Sequence, residues 1–148
     1  KLCTAKNDIE PNVLFKETVK KSEMPAVLAA ADCGVGCLAP IPLFTMPYPN
    51  KVFDYMAAGR PVLCAIDGEI RKVVEKSECG IYASAQSPSD ISKAIVKIAS
   101  DKRGADQLGQ NGKYFVQEYF DRGLQAKQLE NLLRQVVEGE LNGHFVDE

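Results

Sequence analysis

The sequence predicts an α/β fold, a parallel sheet with helices on both of its faces, and three observations lead there. Short apolar runs alternate with helical segments along the chain, the pattern of successive βαβ units. Prolines, glycines and small polar residues punctuate that alternation where helices start and stop. The 148 residues, 45% of them hydrophobic, suffice for one globular domain with its own core.

Taken in order, Asn12-Val13-Leu14-Phe15, preceded by Pro11, reads as a first strand. Ser22 is an N-cap candidate with Pro25 still in the first turn, and Ala26 to Ala31 carry that helix to Asp32. Gly34 to Leu38 makes a second strand, stopped by Ala39-Pro40-Ile41-Pro42. Phe44 to Pro49 holds two prolines and no periodicity, and so is a loop. Asn50 to Ala58 is helical, with Gly59 suited to the position just past its end. Pro61 to Ala65 is a buried strand, Asp67-Gly68 opens a helix over Glu69 to Lys76, and Gly80 to Ala83 is a fourth strand.

Ser87-Pro88-Ser89-Asp90 is a strong helix start, with a capping serine, proline at the first helical position and an acid in the first turn. Ile91, Ile95 and Ile98 then mark one face of that helix. Two more helices, about Ala105 to Tyr119 and Arg122 to Val137, close a domain expected to span 1–138, and 139–148 reads as a flexible tail. The sum is a Rossmann-like sheet, in which ligands bind in loops at the carboxyl ends of strands. The longest such loop runs from Ala39 to Pro49, and the chemistry is expected there.

Composition excludes several classes. Lys and Arg number 18 against 20 Asp and Glu, so no basic excess offers a footprint for nucleic acid. No apolar run reaches the roughly 18 residues of a membrane helix, and Lys1-Leu2-Cys3-Thr4 is no signal-peptide start. The five cysteines, Cys3, Cys33, Cys37, Cys64 and Cys79, form no C-x-x-C and sit mostly among small or apolar neighbours. That is the usage of reduced, cytosolic thiols acting as small hydrophobes. The single His144 stands in a polar tail without companions, so no metal site is expected.

Gly34-Val35-Gly36-Cys37-Leu38-Ala39 matches the G-x-G-x-x-A dinucleotide fingerprint. That fingerprint works only between a strand and a helix, whose N-terminus meets the pyrophosphate. Here it follows a helix, lies within a strand and runs into Pro40 and Pro42. Close packing of a buried strand explains the glycines, and a dehydrogenase is rejected.

The informative stretch runs from Tyr48 to Val62. A proline-rich loop delivers the chain into a helix whose first N–H groups lack partners, which with the helix dipole makes an anion site suited to a diphosphate. Lys51 adds a cation. Asp54 is the one acid on this apolar helix, four residues after Asn50 and three after Lys51, on the same face. Such a carboxylate can accept hydrogen bonds from ribose hydroxyls, or it can merely favour the helix dipole. Spacing alone leaves both open.

Pro49-Asn50-Lys51-Val52-Phe53-Asp54-Tyr55-Met56-Ala57-Ala58-Gly59-Arg60-Pro61-Val62 resembles the signature of family 4 (group 1) glycosyltransferases, retaining enzymes of GT-B fold. They read E-x7-E-A-M-A-x-G-x-P-V, or E-Y-M-A-A-G-K-P-V in the branch that makes surface polysaccharides. Asn12 to Phe15 is similar to the family's N-V-x-F strand, Met24 to Asp32 to its (L/M)-P-x-L-x-x-A-D helix, and Gly68 to Val74 to its G-(E/G)-(I/x)-x-E-V-V segment. The two closing helices resemble its C-terminal crossover.

The resemblance implies the C-terminal, donor-binding half of a GT-B fold, truncated at its N-terminus. It implies that Asp54 holds the ribose in place of the family's second Glu. Asn50 and Lys51 fall where backbone amides meet the diphosphate, Thr45 and Met46 in the loop facing the sugar, and Val19 where a backbone group meets the base. Glu17 replaces the usual Gly just before it. Met46, eight residues before Asp54, departs from the pattern: many relatives carry there a Glu that contacts sugar hydroxyls, which a thioether cannot do.

The implied activity is transfer, with retention, of a sugar from a nucleoside diphosphate sugar to a glycan or lipid-linked acceptor in bacterial surface polysaccharide or lipopolysaccharide synthesis. It needs neither metal nor other cofactor. The acceptor would be held by an N-terminal domain, and the full-length protein would work in the cytoplasm at the inner face of the membrane. No catalytic residue is identified: His144 is remote and Asp54 is assigned to ribose. Nothing in Lys1 to Glu10 supplies the family's Gly-rich turn and Arg and Lys pair, so a fragment beginning within a helix, inactive alone, is expected. Loss of the first two strands of a 3-2-1-4-5-6 sheet would also displace the Asn12 to Phe15 strand. A non-catalytic nucleotide-binding module and a GT-B sugar-nucleotide epimerase are the alternatives.

Overall fold

The computed structural model describes residues 12–138. The expected tail 139–148, His144, Cys3 and the segment Lys1 to Glu10 lie outside the described residues. The sheet has three parallel strands in the order β1 (Gly34–Cys37), β2 (Val62–Ala65) and β3 (Gly80–Tyr82). Gly34 pairs with Val62, and Val62 with Gly80. The helices are α1 (Met24–Ala29), α2 (Asn50–Ala57), α3 (Glu69–Lys76), α4 (Pro88–Ser100), α5 (Lys102–Tyr119) and α6 (Arg122–Val137).

Helices cover both faces of the sheet, as the alternation predicts. Val62 and Cys64 pack with Val52 and Met56 of α2 and with Ile70 and Val74 of α3; Phe115 and Val116 of α5 close that layer. Leu63 and Ala65 point the other way, onto Ala94 and Ile98 of α4. Every residue of β2 is buried, which is why this strand reads as a continuous apolar run rather than an alternating one.

Local signals set most boundaries. The Ser87 hydroxyl accepts the Asp90 N–H at 3.2 Å, with Pro88 in the first turn of α4. Gly59 takes φ +68° just past α2. Its N–H donates to Met56 O and the Arg60 N–H to Tyr55 O, satisfying carbonyls the helix end leaves over. α5 begins at Lys102 rather than near Ala105, because the Asp101 carboxylate caps it through the Gly104 N–H at 2.9 Å.

Two expectations need correction. Asn12 to Phe15 forms no strand: the segment stands outside the sheet with Leu14 and Phe15 exposed. A short apolar run becomes a strand only where a neighbour takes its backbone hydrogen bonds, and among the described residues none does. Ser22 is not an N-cap. It lies inside a 3-10 turn over Lys21–Glu23, where the Glu23 carboxylate folds back to the Lys20 N–H, and the helix that follows ends at Ala29, before Asp32.

Candidate functional site

β1 ends at Cys37 and the chain crosses the carboxyl edge of the sheet through Leu38 to Pro49 before entering α2. Pro47 and Pro49 keep this loop out of a helix, and Pro49, in extended conformation, contributes no side-chain cap to α2. The Val52 N–H turns back to Pro49 O at 3.0 Å. The N–H groups of Asn50 and Lys51 find no acceptor among the described residues, which leaves them as the free donors of the helix start.

α2 divides its residues cleanly. Val52 and Met56 are fully buried against the sheet, while Asn50 and Asp54 lie on the exposed side. Asp54 has no ion-pair partner among the described residues. It lines a polar cleft of about 430 Å3 with Lys21, Tyr48, Asn50, Arg122 and Gln125. A second, more apolar cleft beside it runs between Asp54 and Ala57 of α2, with Ala58 just past its end, and Met24, Pro25 and Leu28 of α1, with Lys21 again at its edge.

The side chains of α2 also close the outer edge of β1. Lys51 Nζ donates to Cys37 O at 3.0 Å, and the Tyr55 hydroxyl to Val35 O at 3.4 Å. Burial, and secondarily the neighbouring Asp54 charge, push the Tyr55 phenol up, so it remains a neutral donor. The Lys51 ammonium is thus anchored at the strand end.

The remaining residues singled out by the sequence are distributed unevenly. Asn50 and Asp54 share one cleft. Thr45 lies in the loop, but its hydroxyl donates to Pro42 O at 2.8 Å and its carbonyl accepts the Glu69 N–H at 2.9 Å. Met46 is 76% exposed. Val19 lies in irregular backbone, and the residue of that segment lining both clefts is Lys21. Lys21 and Arg122 were not legible as site residues, since they come to the Asp54 cleft from opposite ends of the chain.

The two glycines of the rejected fingerprint lie in β1, not in a strand-to-helix turn. A Cβ on Gly34 would fall 2.2 Å from the Tyr55 ring, and one on Gly36 would fall 3.2 Å from Val52. They let α2 approach the strand closely.

The four described cysteines are free thiols. Burial pushes Cys64 up to about 11, and raises Cys33 and Cys79 as well. Among the described residues no cluster of three His, Cys, Asp or Glu side chains is arranged to hold a metal ion, and no helix is long and apolar enough to cross a membrane.

Residues 1–101 match the family described as Glycosyl transferases group 1. Sucrose-phosphate synthase from Thermosynechococcus elongatus has a similar structure, with a TM-score of 0.78 and 25% identity over 93% of this chain and 33% of that one. The chain therefore spans about a third of the length of that synthase. A search of curated proteins finds no match. The family match covers more than half of the sequence and falls on an α/β sheet of GT-B type; the chain belongs to the group 1 glycosyl transferases.

Proposed function

We propose that this chain forms the nucleotide-sugar-binding part of a retaining glycosyltransferase. The enzyme would move a sugar from a nucleoside diphosphate sugar to a glycan or lipid-linked acceptor in bacterial surface polysaccharide or lipopolysaccharide synthesis. The observation that supports it best is the exposed face of α2, where an Asp54 carboxylate stands one turn beyond two N–H groups, all three without partners among the described residues. On this reading the amides of Asn50 and Lys51 meet the diphosphate, and Asp54 accepts both ribose hydroxyls. A helix N-terminus and nearby cations would stabilise the charge growing on the departing diphosphate. The acceptor and its activating group belong to a further domain, and the work would be done at the cytoplasmic side of a membrane.

Calorimetric titration with UDP, GDP and ADP tests the assignment. Each charged hydrogen bond to ribose is worth about 1.5–3 kcal/mol, so losing one weakens binding roughly ten- to hundredfold. Asp54→Asn keeps the size and loses the charge, and Asp54→Ala suits a helix. Both are expected to weaken binding with an unchanged melting temperature. Equal affinity in wild type and both variants would reduce Asp54 to a helix-dipole acid. The exposed thioether of Met46 favours a second reading, a nucleotide-binding module without transfer. Nucleoside diphosphate release by the full-length protein incubated with candidate donors separates the two.

A further inference from the structure

A small cavity sits at the carboxyl ends of all three strands, apart from the cleft that holds Asp54. Its wall takes Leu38 from the end of β1, Asp67 from the end of β2, and Tyr82, Ser84 and Gln86 from the end of β3, with Thr45 of the loop closing one side. Carboxyl ends of parallel strands are where open α/β sheets place ligands. The volume is about 130 Å3, well below the roughly 300–1,000 Å3 of pockets that swallow a whole ligand. It suits one edge of a sugar ring and is too small for a nucleoside. Hydroxyl, amide and carboxylate groups share the lining with apolar ones, the mixture that a ring with hydroxyls on its rim requires.

Asp67 is the one carboxylate in this wall. Its Oδ1 accepts the Gly68 N–H at 2.9 Å and faces Arg71 Nη1 at 3.4 Å, while Oδ2 accepts from no group among the described residues. The side chain is therefore held through one oxygen and free through the other. Arg71 is itself braced by Glu75 at 2.8 Å and lies 3.9 Å over the Tyr82 ring, so the hold on Asp67 has support behind it.

Gly68 brings this carboxylate to the loop. It takes φ +94°, and a Cβ there would fall 2.0 Å from Thr45 O. The adjoining Glu69 N–H donates to that same carbonyl. The end of β2 and the loop residue next to Met46 are thus in backbone contact. Thr45 and Asn50 are five residues apart, at most about 18 Å along the chain, a distance a nucleoside diphosphate with its sugar can bridge.

We infer that Asp67 supplies a sugar-hydroxyl acceptor, and that the cavity it shares with Tyr82, Ser84 and Gln86 receives one edge of the donor's sugar ring. This rests on the proposed nucleotide-sugar reading and adds a specificity-determining residue to it.

The test compares each sugar-bearing nucleotide with its bare counterpart on the full chain: UDP-glucose and UDP-N-acetylglucosamine against UDP, and GDP-mannose against GDP. Asp67→Asn keeps the bond to the Gly68 N–H and removes the charge. It is expected to weaken at least one sugar-bearing ligand tenfold or more while leaving bare diphosphates unchanged. Asp54→Asn is expected to weaken both kinds alike. Arg71→Gln, which breaks the ion pair but spares the carboxylate, is expected to leave the sugar contribution in place, and melting curves verify that all three variants fold. If Asp67→Asn changes neither kind, or both equally, or if wild type binds sugar-bearing and bare nucleotides equally well, the inference is overturned while the Asp54 reading stands. If wild type binds no nucleotide, the proposed function falls and the inference with it.

Discussion

α2 and α6 are both amphipathic helices, but the fold uses them in opposite ways. α2 places Val52 and Met56 at zero exposure between the sheet and α5. α6 is twice as long and buries nothing: Leu129, Leu132, Leu133 and Val136 follow helical spacing and stay about half exposed. The chain is held just before α6 begins, where Phe120, the residue that ends α5, meets the Phe53 ring at 4.7 Å and Tyr48 at 6.4 Å. An apolar stripe therefore tells that a helix wants a partner. Whether the partner stands within the described residues is a separate question, and the energetic weight of the stripe depends on its answer.

The largest expected effect sharpens this contrast. Leu63→Ala empties a fully buried site in β2 between the sheet and α4, and is expected to cost about 2–5 kcal/mol. Leu133→Ala removes the same atoms from a side chain 55% exposed, and is expected to stay within about 0.5 kcal/mol. Denaturant unfolding of the two variants measures the difference. Comparable losses would mean that the α6 stripe is covered in solution.

A smaller effect comes from acidity inside the same core. The Cys64 thiol, raised by burial from 9.0 to about 11, prefers its neutral form in the fold more than in the unfolded chain. Its contribution is fully present below pH 9 and is lost as pH climbs through the folded value near 11. Unfolding free energy is expected to fall across that window by about 3 kcal/mol, at 1.36 kcal/mol per pKa unit over two units. Cys64→Val is expected to flatten the fall. The exposed Cys37 belongs to the other side of the comparison and should react with a thiol reagent in the native state, while Cys64 and Cys79 react only on unfolding. Equal labelling rates for all three would contradict the buried assignment.

The smallest effect compares two helix caps of the same geometry, each a side-chain oxygen accepting the N–H three residues on. Ser87 caps α4, which packs on the sheet, and Asp121 caps α6 through the Leu124 N–H at 2.9 Å. Removing either bond costs its helix about 1 kcal/mol. Ser87→Ala is expected to lower global stability by that amount, because α4 unfolds with the core. Asp121→Ala is expected to speed amide exchange in α6 while leaving the global transition nearly unchanged, since local opening of an unburied helix need not disturb the rest. A global loss as large as that of Ser87→Ala would show α6 coupled to the core.

What the sequence determined by itself is whatever a few neighbouring residues can enforce. Asn50 starts α2 because Pro47 and Pro49 forbid an earlier turn, Ser87 with Pro88 starts α4, and Gly59 ends α2 by accepting a positive φ. The alternation of these pieces was enough for the α/β class, and the spacing of Asn50 and Asp54 was enough to put them on one helix face. The tertiary structure decided which pieces find partners. Asn12 to Phe15 has the composition of a strand and, among the described residues, no neighbour to pair with, so it is not one. Lys21, Asp54 and Arg122 meet at one cleft, and Thr45 and Asp67 at one cavity. Side-chain periodicity reports only a residue's own element. The meeting of residues from distant parts of the chain is set by strand order and by helix contacts that no local pattern encodes.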